Sequence, residues 1–270
     1  MADLPLLIEP DIAENTIGSN EFLIIDLSKA ETYGKLHVPG AVHLDYAHIV
    51  TTNKPVMGLL PDDATLQGVL SAAGCHHDIH IVAYDDEGGG RAARLLWTLE
   101  IAGHQHLSLL NGGLHAWANE GHRCDNTPVT PTPATFQVRH NDAPLATREH
   151  ILERLDSPAT ALLDVRSPEE YHGIRKYAER AGHIPGAVNL EWTSTMDQQR
   201  NLRFKPDAEL RQLLSAIGIT PEQEVITYCQ THHRSAHTYL VLRHLGYPQI
   251  KGYAGSWSDW GNQPDLPIEV

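Results

Sequence analysis

The chain has 270 residues, of which 41% are apolar and 20% are charged, a balance typical of globular proteins and enough for two domains of ordinary size. Its formal net charge of −14 argues against nucleic acid and anionic membranes as partners, because both are negatively charged. There is no cationic leader, no run of about 18 apolar residues and no paired spacing among the three cysteines. We therefore expect a cytoplasmic protein without a membrane span or a disulfide framework.

The first half alternates short apolar strands with amphipathic helices. Apolar, β-branched runs predict strands at residues 22–26 and 81–84, and apolar residues three and four apart predict helices at 63–73 and 91–102. The alternation predicts the α/β class, with a mostly parallel sheet and helices on both faces. Continuous apolar runs are typical of strands that are covered on both sides.

A segment rich in proline and threonine, residues 126–133, separates the two halves. Proline fixes φ and lacks a backbone donor, so this segment should be extended and stiff. We predict an N-terminal domain at 1–124, a linker at 125–143 and a C-terminal domain at 144–270.

The second half repeats the first. Blocks match in the same order: a strand that ends in Asp, a His-x-Pro-Gly-Ala-Val segment, a helix end, a second strand, and a glycine followed by tryptophan. Their positions are 22–26 and 161–164, 37–42 and 183–188, 70–74 and 214–218, 81–84 and 225–228, and 112–117 and 255–260. This order indicates a duplication. The second copy also carries extra residues at 173–182, which we predict to lie outside its core.

The strongest candidate site begins at Cys229, where the apolar strand 225–228 gives way to a loop and then to a helix pattern over 236–245. Ligands of open parallel sheets bind at this edge of the sheet. Free N–H groups and the positive end of the helix dipole stabilise anions there, and both should lower the pKa of the thiol. Cys229 is therefore the predicted nucleophile. The predicted donor-binding loop consists of Gln230, Thr231, His232, His233, Arg234 and Ser235.

Other residues are weaker candidates, each with a structural alternative. Asp164 ends a strand at the same edge, where it either tunes the site or ties down the neighbouring loop. Arg166 is either a site residue or the ion-pair partner of a nearby carboxylate, and Trp192 either walls the pocket or belongs to the core. Arg234 either holds the loop or pairs with an anionic donor. We expect no metal or cofactor, because adjacent histidines such as His232 and His233 seldom face one metal.

Two segments resemble the signatures of the rhodanese family. They are His37–Ala41 preceded by Tyr33, and Tyr253–Trp257 before Trp260. A duplicated chain with the cysteine only in its second copy is similar to tandem-domain bacterial thiosulfate sulfurtransferases. The resemblance covers about residues 4–267. It implies that the Cys229 thiolate takes a sulfane sulfur from a donor such as thiosulfate, and passes it to cyanide, a thiol or a protein acceptor.

Some positions depart from the family pattern. Thr231 stands where some members have a lysine, and Glu170 where some have a second arginine, so donor binding by those side chains is not implied. In the first copy Asp85 aligns with Cys229, in a loop that is one residue longer and carries three carboxylates. A carboxylate cannot form a persulfide and repels anions, so we expect the first domain to be catalytically silent.

Two other functions fit parts of the pattern. A cysteine-dependent phosphatase of the same fold would use the same thiolate, N–H loop and arginine. Such phosphatases hold one residue more than the four that lie between Cys229 and Arg234. A persulfide carrier module would form the persulfide but need a protein acceptor for turnover.

Overall fold

The structure is a computed structural model and describes residues 4–270. Residues 1–3, with which the predicted first domain begins, lie outside the described part. The strands of the first half are β1 Leu7–Ile8, β2 Phe22–Asp26, β3 Val42–His43, β4 Thr51–Asn53, β5 Val56–Leu59, β6 His80–Tyr84 and β7 Leu107–Leu110. Its helices are α1 Pro10–Glu14, α2 Ala30–Lys35, α3 Asp63–Ala72, α4 Gly90–Ile101 and α5 Gly113–Asn119, with a 3₁₀ helix at Tyr46–Ile49.

The second half has a similar element order. Its strands are β8 Leu145–Ala146, β9 Thr160–Asp164, β10 Val188–Asn189, β11 Met196–Asp197, β12 Arg203–Phe204, β13 Glu224–Tyr228 and β14 Ile250–Tyr253. Its helices are α6 Arg148–Leu152, α7 Pro168–Tyr171, α8 Asp207–Ala216, α9 Arg234–His244 and α10 Ser256–Trp260, with a 3₁₀ helix at Trp192–Thr195.

The chain divides into two compact units that are not continuous in sequence. The first unit contains the residues up to Val50, Pro61–Asn141 and Asp197–Phe204. The second unit contains Thr51–Leu60, Asp142–Met196 and Lys205–Val270. Each unit therefore includes one short segment from the opposite half of the sequence. For the second unit this segment is the antiparallel pair of β4 and β5.

The sheet of the first unit has the strand order β1-β7-β6-β2-β3, and each neighbouring pair is parallel. All five residues of β6 are buried, which means that both faces of the sheet are covered. The hydrophobic core of this unit includes Ile8, Val82, Tyr84 and Trp117. The predicted linker contains no helix or strand over residues 126–142. Its residues up to Asn141 belong to this unit, where Phe136 is fully buried.

The sheet of the second unit has the order β10-β9-β13-β14-β8, again with parallel neighbours. Strand β13 is central, and its last residue Tyr228 pairs with Asp164 at the end of β9. The core includes Ile226, Tyr253 and Trp257. This topology brings the carboxyl ends of β9 and β13 to the same edge of the sheet.

The predicted α/β class with two parallel sheets and helices is confirmed. Helix α3 ends at Ala72, one residue before its predicted end, whereas α9 begins at Arg234, two residues before the apolar pattern starts. The extra segment at 173–182 has no regular structure, and Ile174 and Tyr177 in it are exposed, as predicted for residues outside the core. Among residues 4–270, none of the helices combines the length and the apolar character needed to cross a bilayer.

Candidate active site

Cys229 lies directly after the central strand of the second unit. The four residues before it, Val225 to Tyr228, are fully buried, because β13 has a strand on each side and covered faces. Helix α9 begins five residues later at Arg234. The loop of residues 229–233 therefore connects the carboxyl end of a parallel strand to the N-terminus of a helix, as the sequence predicted.

The Cys229 thiol is held among hydrogen-bond donors. Its sulfur receives hydrogen bonds from the hydroxyl and the amide of Ser235 and from the amide of Thr231. Burial raises the pKa of a thiol, and Cys229 is 1% exposed. The positive charge of Arg234 and these hydrogen bonds outweigh the burial, so the pKa of Cys229 falls to about 7. A large fraction of Cys229 is therefore thiolate at neutral pH.

The other two cysteines have the opposite character. Burial raises the pKa of Cys75 to about 12, and burial also raises the pKa of Cys124. Neither shift is offset by a cation or a hydrogen bond to the sulfur. Nucleophilic thiol chemistry at neutral pH therefore points to Cys229.

Helix α10 fixes the backbone of the loop. The Ser256 hydroxyl accepts the N–H groups of Cys229 at 3.2 Å and of His232 at 3.0 Å. The next two amides of the helix, those of Trp257 and Ser258, donate to the carbonyl oxygens of Cys229 and Gln230, both at 3.0 Å. The loop amides of Cys229 and His232 thus bind Ser256, while those of Thr231 and Ser235 donate to the sulfur.

Arg234 forms a two-pronged ion pair with Glu170. The nitrogen–oxygen distances are 2.7 and 2.9 Å, and Glu170 is almost fully buried. Burial raises the pKa of Glu170, but its bonds to Arg234 reverse the effect and leave that pKa below its usual value. The Glu170 carboxylate also closes a capping box with Ser167 at the start of α7. Glu170 thus fixes Arg234, whose charge acts on the thiol.

Asp164 and Arg166 pair with each other. Arg166 is buried and places two nitrogens on the carboxylate of Asp164 at 2.5 to 3.0 Å, and it donates to the carbonyl of Gly182 at 2.7 Å. Its guanidinium lies 4.6 Å from the ring centroid of Trp257. These contacts pair Arg166 with a carboxylate, and the Arg166 amide also donates to Asp164 at 3.0 Å. A role of either residue in the site stays a prediction.

The remaining predicted site residues lie around the loop. The Gln230 side chain donates to the carbonyl of Tyr177 at 3.2 Å. His233 precedes α9, and its ring centroid is 6.1 Å from that of Trp192. Trp192 also makes an edge-on contact with His237 at 5.5 Å. The structure thus brings Trp192 next to the loop, on the side of His233.

The β4–β5 hairpin packs against the loop within the second unit. Gly58 has a φ of +74°, and a Cβ atom built on it would lie 2.7 Å from Cβ of Thr231 and overlap the Thr231 carbonyl oxygen. The neighbouring Met57 amide donates to the Ser258 hydroxyl of α10 at 3.0 Å. The hairpin and α10 therefore support the loop together.

The corresponding loop of the first unit binds its own carboxylate. Asp85 is fully buried after β6 and accepts the N–H groups of Glu87, Gly89, Arg91 and Ala92 at 2.8 to 3.0 Å. Burial raises the pKa of Asp85 against the lowering effect of these bonds. The loop amides of this unit are thus occupied by an internal carboxylate. In the described part of the chain, no group of three His, Cys, Asp or Glu residues is arranged to hold a metal ion.

A family model described as "Rhodanese-like domain" matches the chain twice, at residues 9–120 and 147–263. The chain belongs to the rhodanese family. Its two rhodanese-like domains resemble curated relatives over their full length. The chain is 45% identical to a protein of Pseudomonas aeruginosa and 43% identical to one of Azotobacter vinelandii, both named thiosulfate sulfurtransferase. Each match covers 100% of this chain and 98% of the relative.

The chain is also similar to proteins of lower sequence identity. A protein of Thermus thermophilus named "Sulfur carrier protein TtuD" is 33% identical, over 87% of this chain and 86% of that protein. Among solved structures, YnjE superposes with a TM-score of 0.87 at 21% identity, over 98% of this chain and 68% of that one. An anaerobic ergothioneine biosynthesis enzyme from Chlorobium limicola also gives 0.87 at 21%, over 98% and 70%.

Three contributors to this rhodanese-like site are not predicted by the sequence. Glu170 stands out in the sequence only as a departure from the family pattern, although its place in a Ser-x-x-Glu capping box indicates a fixed carboxylate. Ser256 lies in a recognised signature segment, but its bonds to the loop depend on tertiary structure. Gly58 lies in a hairpin of the first half, and nothing in its local sequence predicts contact with Thr231.

Proposed function

We propose that this rhodanese is a thiosulfate sulfurtransferase and that Cys229 is its nucleophile. The observation that carries the proposal is the thiol of Cys229, whose pKa of about 7 is set by Arg234 and by the loop donors. Two relatives named thiosulfate sulfurtransferase are 45% and 43% identical over the whole chain, which supports the same activity here.

In the first half-reaction the Cys229 thiolate attacks the outer sulfur of thiosulfate. The sulfur–sulfur bond of the donor breaks, and sulfite leaves with its electron pair. The product is a persulfide anion on Cys229, and the amides of Thr231 and Ser235 together with Arg234 supply hydrogen bonds and charge that favour it. The negative charge passes from one sulfur to the next within the same set of donors.

In the second half-reaction a thiophilic acceptor attacks the outer sulfur of the persulfide. With cyanide, a carbon–sulfur bond forms, thiocyanate leaves, and the electron pair of the broken bond restores the Cys229 thiolate. A thiol would act in the same way and leave as a persulfide. No metal or cofactor is needed for either step.

Transfer to a protein acceptor is the second candidate function. The relative named as a sulfur carrier protein favours it. The two functions differ in turnover, because a carrier would form the persulfide but release thiocyanate slowly with cyanide as the acceptor. Steady-state production of thiocyanate from thiosulfate and cyanide separates them.

The mass of the peptide that contains Cys229 tests the proposal. After incubation with thiosulfate this peptide should gain about 32 Da, the mass of one sulfur atom. Cys229→Ser should abolish both the mass gain and the formation of thiocyanate, whereas the matched control Cys75→Ser should retain both. Added sulfur on the peptide of Cys75 or Cys124, or an unmodified Cys229, would contradict the assignment.

We also propose that the first domain takes no sulfur. Asp85 stands at the position that matches Cys229, and its carboxylate already accepts four loop amides. Arg91, which matches Arg234, lies 3.4 Å from Glu87 and 3.7 Å from Asp86, so two carboxylates counter its charge. These contacts support a structural role for this loop.

A further inference from the structure

His232 has an unusual backbone for a residue with a side chain. Its φ is +52°, in the left-handed region that glycine adopts without cost and that other residues seldom occupy. The residue is fully buried, and its amide is bound by Ser256 at 3.0 Å. A histidine at such a position indicates that its side chain has a role that glycine could not fill.

The imidazole is hydrogen-bonded to a group that contacts the thiol. Nδ1 of His232 lies 2.7 Å from Oγ of Ser235, and that hydroxyl also hydrogen-bonds to the sulfur of Cys229. A hydroxyl has a single hydrogen to donate and can accept two hydrogen bonds. If its hydrogen points to the thiolate, the proton in the contact with His232 must come from Nδ1.

Ser235 is well placed for such a relay. It is fully buried in the first turn of α9, and its carbonyl accepts the Thr227 hydroxyl of the central strand at 3.1 Å. The fixed backbone leaves the direction of the hydroxyl hydrogen as the main freedom of this side chain. If Nδ1 of His232 donates to the Ser235 oxygen, the hydroxyl hydrogen cannot also point to the imidazole. It is then free to point to the sulfur.

We propose that His232 is a positioning residue: its Nδ1–H donates to the Ser235 hydroxyl and thereby directs the hydroxyl hydrogen to the sulfur of Cys229. The relay has two hydrogen bonds, from His232 to Ser235 and from Ser235 to the sulfur. It rests on the proposed role of Cys229 as the working thiol. It assigns the buried histidine to the stabilisation of the thiolate, and of the persulfide that replaces it.

Charged groups reach this part of the site from three elements. They are Arg234 of α9, Glu170 of α7, and Asp164 at the end of β9 with its partner Arg166. None of them is altered in the variants below. A change in the pKa of the thiol among these variants therefore reports on the hydrogen bonds of the relay.

The test compares three single variants. His232→Gly suits the positive φ but removes the donor. His232→Asn also tolerates this backbone and keeps a donor, because its Nδ2 lies as many bonds from Cα as Nδ1 of histidine. Ser235→Ala removes the hydroxyl. The pKa of Cys229 is read from the pH dependence of its alkylation by iodoacetamide, and circular dichroism with thermal unfolding checks the fold.

We expect His232→Gly and Ser235→Ala each to raise the thiol pKa by about one unit or more, the effect of losing a hydrogen bond to a charged group. His232→Asn should stay close to the wild type. The double variant His232→Gly with Ser235→Ala should show no larger rise than Ser235→Ala alone, because both changes break one chain of bonds.

Other results would overturn the relay. An unchanged pKa in His232→Gly, or an equal rise in His232→Gly and His232→Asn, would remove the donor role of the imidazole. If Ser235→Ala fails to fold, ¹⁵N spectra of the wild-type histidines still decide, since neutral His232 should carry its proton on Nδ1. Failure of the proposed function is seen separately, as absence of a thiosulfate-derived sulfur on wild-type Cys229.

Discussion

At Cys229 two opposing effects act on one sulfur atom. Burial favours the neutral thiol, while Arg234 and the hydrogen bonds of Ser235 and Thr231 favour the thiolate. The second group prevails, and the thiol pKa lies near 7. Because the sulfur is shielded from water, each of these contacts counts for more than it would on the surface. The pKa of this thiol, and with it the reactivity, therefore depends on the contacts of Arg234, Ser235 and Thr231.

The pH dependence of persulfide formation should follow the pKa of Cys229. Only the thiolate attacks, so the single-turnover rate with thiosulfate should rise as the pH increases through about 7 and then level off. Arg234→Ala removes the largest effect that lowers this pKa. The loss should be about 1.5–3 kcal/mol, which displaces the rise by about one to two pH units upward.

Arg234→Lys is the matched control for this shift. Lysine keeps the positive charge but cannot reproduce the two-pronged pair with Glu170. Its profile should remain near that of the wild type, with some loss of thermal stability. A profile of Arg234→Ala that matches the wild type would show that the charge does not act on the thiol.

Among the elements, a helix of five residues and a hairpin from the other half of the sequence carry much of the support for the site. Helix α10 binds the loop through Ser256 and through the amides of Trp257 and Ser258. The hairpin adds Gly58, which packs against Thr231. One of the amides that donate to the sulfur belongs to Thr231, so a shift of the hairpin would change this hydrogen bond to the thiol.

Gly58→Ala should test this support. The new methyl group would overlap the Thr231 carbonyl, and the positive φ adds strain, so the loop should move by some tenths of an ångström. We expect kcat/KM for thiosulfate to fall about tenfold or more, because small misplacements of donors are costly. Gly186→Ala is the control: it has a φ of +72° but no atom within 4 Å of the added Cβ. Equal losses of activity in the two variants would refute a specific role of the hairpin.

For the whole molecule, the sequence was informative where the signal is local or repeated. The strands that end at Asp26, at Asp164 and just before Cys229 are short apolar runs. The duplication predicts that the two halves form equivalent sheets, and the structure contains two five-stranded sheets. The pairing of Glu170 with Arg234 joins residues 64 positions apart, and no local pattern encodes it. The assignment of β4 and β5 to the second unit also depends on tertiary packing, because no sequence feature distinguishes this hairpin from other hairpins.

The loop after β6 in the first unit has no cysteine, and we expect its role to be structural. Asp85 accepts four amides of its loop, so Asp85→Ala should leave them without this acceptor. We expect a loss of about 3 kcal/mol in the unfolding free energy of this unit and faster hydrogen exchange at residues 87–92.

Glu87→Ala is the control. It removes a partly exposed carboxylate of the same loop and should lower the unfolding free energy by less than about 1 kcal/mol. Urea unfolding with exchange detected by mass spectrometry measures both effects. If Asp85→Ala were as stable as Glu87→Ala, the carboxylate would not be the internal anion that holds this loop.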